Sequence, residues 1–148
     1  MVQTARPTSD VTVDSWTTSP LWSKVNDADD ATLITGPSGA ATQCEVALAS
    51  LSDPAVSTGH IIYVRAKGNT GSGAGEKLTW YLYEGATLRA TSAATTISRT
   101  TITTYSYTLS GAEADSVTNY ADLRMRIAQT PIGSGELIAV YDGWMEVP

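Results

Sequence analysis

Apolar and polar residues alternate one by one over most of this chain, the signature of strands with one face inward. His60 to Lys67 is the clearest run: Ile62, Val64 and Ala66 alternate with Ile61, Tyr63, Arg65 and Lys67. Leu78, Trp80 and Leu82 form a second inward row, and Leu123, Met125 and Ile127 a third, set between Arg124 and Arg126. Cys44, Val46 and Leu48 point one way and Gln43, Glu45 and Ala47 the other. Tyr105, Tyr107 and Leu109 share a face, and residues 136–147 read as a final strand. Asp10 to Trp16 reads as the first strand, with Val11 and Val13 on one face. Thr32 to Thr35 and Thr87 to Thr91 are shorter candidates.

Turn signals separate these runs. They are Ser19-Pro20, the polar stretch Asn26 to Asp30, Gly36-Pro37-Ser38-Gly39, Leu51-Ser52-Asp53-Pro54, Ser57-Thr58-Gly59, the Gly68–Gly75 loop, Glu84-Gly85-Ala86 and Pro131 to Gly135. One helical start stands out, Ser110 followed three residues on by Glu113, the spacing of a capping box. It predicts at most one short helical turn. Strands separated by turns at such intervals predict an all-β fold, an antiparallel sandwich or barrel. Residues 10–148 form its single domain. Residues 1–9, polar and split by Arg6-Pro7, read as an extended N-terminal arm.

The chain has 148 residues, enough for one core without metal or disulfide. Charged residues are only 16% of it, and Thr and Ser fill the difference. Thr suits a strand face that meets water. The net charge of -6 disfavours nucleic acid and anionic membranes as partners. No apolar stretch is long enough for a membrane helix, and the N-terminus lacks a signal-peptide pattern, so synthesis in the cytoplasm without export is expected.

Chemistry is sparse. The one cysteine, Cys44, lies on an inward row and reads as a small buried hydrophobe. The one histidine, His60, follows Gly59 at a turn-to-strand junction and reads as solvated or strand-capping rather than a general base. Glu45, Glu76, Glu84 and Glu113 are scattered and read as solvated, so a glycosidase pair is not expected. Asn26, Asp27, Asp29 and Asp30 form an oxygen-rich loop, read as a solvated turn rather than a calcium site. The expectation is a protein with no enzymatic activity, no catalytic residues, no metal and no cofactor.

Several segments, in their order, resemble a group of small jelly-roll-like structural proteins of tailed bacteriophages. They are Trp16 with Leu21-Trp22 and the Asp29-Asp30 turn, Leu51 to Pro54, Thr58-Gly59-His60 leading into Tyr63-Val64-Arg65-Ala66, Leu82 to Gly85, and Leu109 to Asp115 through Asn119 to Arg124. The resemblance implies an antiparallel β-sandwich of the jelly-roll kind and a virion subunit on the capsid surface. It would be a decoration (cement) protein bound to the major capsid protein, as a homo-oligomer, commonly a trimer. The same fold also implies an alternative, a surface-glycan or host-adhesion module on the virion or tail.

Aromatic residues and the arm supply candidate contact points. Trp80 is in phase with the core; Trp22 and Trp144 stay open between core and surface. Tyr63, Tyr81 and Tyr83 alternate with inward residues and are expected on an outer face suited to a partner subunit. Val2, Thr4 and Arg6 are the candidate contacts of the arm. Two readings of that arm stay open, disorder and addition to the sheet edge of a neighbour.

Overall fold

A computed structural model describes residues 1–69, 75–130 and 135–148. Most of the Gly68–Gly75 loop and of the Pro131–Gly135 turn lies outside the described residues. The rest is a sandwich of two antiparallel sheets. Sheet A is ordered β1 (Gln3–Ala5), β11 (Ile138–Val147), β5 (Ile61–Gly68), β9 (Thr103–Thr108), with β3 (Ile34–Thr35) also on β11. Sheet B is ordered β2 (Pro7–Thr12), β4 (Thr42–Leu48), β10 (Leu123–Thr130), β6 (Lys77–Glu84), β7 (Thr87–Thr91), with β8 (Thr95–Thr96) beside β6.

The pairings are nested. β3 pairs with β11, β4 with β10, β5 with β9 and β6 with β7, all antiparallel. This is one long hairpin, folded at the β6–β7 turn and then rolled. Rolling brings β5 onto β11 and β6 onto β10. Such nesting is the jelly-roll connectivity that the resemblance implied.

The inward rows read from alternation fill the space between the sheets. Ile62, Val64, Ala66, Leu78, Trp80, Leu82, Leu123, Met125 and Ile127 are all buried. Cys44 joins them, and burial raises its thiol pKa. Gly143 sits where a side chain would run into Met125 of the opposite sheet. Leu21 and Val25 close one end of the core from either side of a single 3-10 turn, Trp22–Lys24. The one helix among the described residues, α1 (Gly111–Ser116), starts at the expected capping box. Ser110 Oγ accepts from the Glu113 N–H, and the Glu113 carboxylate accepts from the Ser110 N–H.

The N-terminal segment departs from expectation. Residues 1–9 are extended, but they pair within their own chain. β1 adds to β11 in sheet A, and β2 adds to β4 in sheet B. Ala5 is fully buried and Pro7 is buried beside it. The strand expected from Asp10 begins at Pro7 instead, and its two register shifts against β4 upset the alternation. Val11 is exposed as a result, and the Asp10 carboxylate accepts from the N–H groups of Leu21 and Trp22. The boundary between arm and domain therefore disappears. The segment crosses from one sheet to the other at Arg6.

Candidate functional site

The outer face of sheet A carries a row of planar groups. Trp144 of β11 pairs with Tyr63 of β5, and Tyr63 pairs with Ser106 of β9. Residues directly opposite in a ladder share a face. The Trp144 and Tyr63 rings stack, with centroids 4.7 Å apart and planes 12° from parallel. The guanidinium of Arg6 lies 5.5 Å from the centre of the Trp144 ring. Arg6, Trp144, Tyr63 and Ser106 thus run across the sheet in one line.

That line is held from below and beside. The Arg6 guanidinium meets the two oxygens of Asp142 at 2.7 and 2.9 Å. Asp142 is almost fully buried, and burial raises its carboxyl pKa against the opposing pull of Arg6. Arg65, one row away, grips Asp30 through a fork with both contacts at 2.7 Å. The Trp144 indole N–H donates to Glu146. Charges on this face are mostly matched in pairs, so the line offers flat, polarisable surface with little net charge. Such groups stack on sugar rings or anchor a protein interface. Arg also stacks well on aromatic faces.

Arg6 and Tyr63 lie on this line, and Thr4 shares its face. Thr4 is exposed and pairs with Glu146, on the row next to Trp144, and Val2 is exposed at the start of the same edge. Trp144, left open by the sequence, belongs to the line; Trp22 packs partly buried against the core. Tyr81 and Tyr83 do not belong to it. They lie on the outer face of sheet B, so the three tyrosines do not form one surface. Alternation shows which residues leave the core but not which sheet carries them. Around Tyr83 the groups are committed to each other: Arg126 forks onto Glu45 at 2.7 and 2.6 Å, donates to the Tyr83 hydroxyl, and lies 4.0 Å from its ring centre.

Other expectations are corrected. His60 is not solvated. Its ring is fully buried, and Nε2 lies 2.7 Å from the Tyr120 hydroxyl. Burial lowers its pKa, against the opposing pull of the Thr58 backbone and of Asp53 and Asp115. Glu45 and Glu76 are buried rather than solvated. Arg99 bridges Glu76 and the equally buried Glu136, at 2.8 and 2.6 Å. Glu84 accepts from the Thr118 N–H and hydroxyl and from Arg89. Glu113 caps α1 and accepts from the Tyr107 hydroxyl. In the polar loop, Asp27 and Asp29 accept backbone N–H groups two residues on, and Asp30 holds Arg65. Among the described residues, no three of His, Cys, Asp and Glu come together as a metal site.

No known family model matches the chain, and no curated protein matches it in sequence.

Proposed function

We propose that this chain is a structural subunit of a bacteriophage particle that attaches to the major capsid protein through the outer face of sheet A. The observation that carries this reading is the line Arg6–Trp144–Tyr63, a stacked and nearly charge-balanced surface pinned by buried Asp142. A face of this kind loses little side-chain entropy when it is covered. The jelly-roll connectivity and the segment resemblance support the same reading. Attachment works by burying this face on an assembled head, where repeated weak contacts add up by avidity. No chemical step is needed.

The test is co-sedimentation with heads that lack the subunit. Trp144→Ala and Tyr63→Ala should lose binding by tenfold or more, whereas Tyr81→Ala, on the opposite sheet, should bind as the parent does. Unchanged binding by the first two variants would remove sheet A from the account.

The stacked Trp144–Tyr63 pair also favours a second reading, recognition of a surface glycan. In that case host glycans should quench the tryptophan fluorescence of the parent and leave that of Trp144→Ala unchanged.

A further inference from the structure

Strands at the edge of a sheet expose unpaired N–H and C=O groups, and proteins normally blunt them. Three of the four sheet edges among the described residues are blunted. β1 has three residues and β3 two, so that side of sheet A is short and broken. β2 carries Pro7, Asp10 and two register shifts. On the far side of sheet B, β7 has a register shift and Arg89, and β8 is only two residues long. The fourth edge, β9, is different. It runs six residues against β5 with no register shift, and β5 is its only strand partner among the described residues. It contains neither proline nor charge, and the uncharged stretch extends from Thr100 to Ala112.

The backbone phase of β9 is fixed. Leu109 N–H donates to His60 O. Ladder hydrogen bonds recur at every second residue. Tyr107, Tyr105 and Thr103 therefore turn their backbone groups towards β5. Thr104, Ser106 and Thr108 turn theirs to the open edge, and their side chains are exposed.

The sequence of this edge reads the same in both directions about Ser106: Thr104, Tyr105, Ser106, Tyr107, Thr108. We propose that β9 is a self-complementary edge through which two copies of this chain pair antiparallel about a two-fold axis at Ser106. In that register Thr104 faces Thr108 of the second copy, Ser106 faces Ser106, and Tyr105 faces Tyr107. All three outward residues fall in hydrogen-bonded pairs. Thr–Thr and aromatic pairs are favourable neighbours across strands. A two-fold contact requires the same patch on both partners, and a palindromic strand provides it. Charge selects the occupant as well. Two chains of net charge -6 repel, and β9 lets them meet without setting like charges opposite one another.

Pairing joins the two copies of sheet A into one sheet. The line Arg6–Trp144–Tyr63–Ser106 then continues into its symmetry mate in reverse order. This assembly differs from the three-fold one implied by the resemblance, and it is independent of what the face of sheet A binds.

Sedimentation of the whole chain tests the proposal. The parent should run at twice its 15.6 kDa mass. Ser106→Lys sets two like charges opposite each other on the axis and should run as a monomer, with an unchanged far-ultraviolet circular dichroism spectrum because Ser106 is exposed. Ser106→Cys should form a disulfide-linked dimer under mild oxidation, while buried Cys44 forms none. A monomeric parent at about 100 μM, an oligomer that survives Ser106→Lys, or a Ser106→Cys chain that does not cross-link would each overturn it.

Discussion

His60 has no exposed surface, and its hydrogen bond to Tyr120 spans sixty positions of the sequence. Burial holds its pKa below the ordinary 6.5, so the unfolded chain takes up this proton first as pH falls. The stability held by the neutral ring is complete above pH 6.5 and is lost as pH drops from there through the lowered folded value. Thermal unfolding followed between about pH 7 and pH 5 should show a falling midpoint, and the slope should flatten in His60→Gln. An equal slope in both proteins would remove His60 as its source. Nothing local to His60 in the sequence announces this burial. The same holds for Arg6, whose partner Asp142 is 136 residues away, and for Glu76, which depends on Arg99. Period-two alternation reports which side of a strand a residue occupies, and it did so correctly for Trp80, Cys44 and Tyr63. It cannot report which distant charge will cover a carboxylate that faces outward.

Among the elements, those with a local cause were the most legible. The α1 start was readable because Ser110 and Glu113 satisfy each other within four residues. Removing the cap hydroxyl in Ser110→Ala should cost about 0.5–2 kcal/mol in denaturant unfolding. Glu113 and Glu84 add an acid limb to the stability profile. Desolvation pushes both carboxyls up, but hydrogen bonds outweigh it, from Ser110 and Tyr107 to Glu113 and from Thr118 and Arg89 to Glu84, so both end below the ordinary 4.5. Their contribution is present above pH 4.5 and is lost as pH falls from there through the lowered folded values. Glu113→Gln should therefore show a shallower fall in stability below pH 4.5 than the parent, with α1 amide protection as the local readout. A parent profile flat down to about pH 3 would contradict this. The first strand was the least legible element. β2 is bulged, so the Val11–Val13 alternation misled, and the pairing of residues 3–5 depends on β11 at the other end of the chain.

For the molecule as a whole, antiparallel layers could be inferred from strand spacing, but the order of strands in each sheet could not, because nesting is a property of pairs far apart. β11 lies inside sheet A, with β1 and β3 on one side and β5 on the other. A chain cut before Ile138 loses the centre of that sheet, so it should show no cooperative thermal transition. Cutting before Gln3 should leave one. Pairings of such long range also predict slow folding, in milliseconds to seconds. The pairing of Gln3 with Val147 has a practical corollary. Residues 3 and 147 lie side by side, so a few added residues could splice this domain into a ring. New ends could then be opened at the Gly85-Ala86 bend, and cargo fused at residue 1 or at residue 148 would emerge from the same corner.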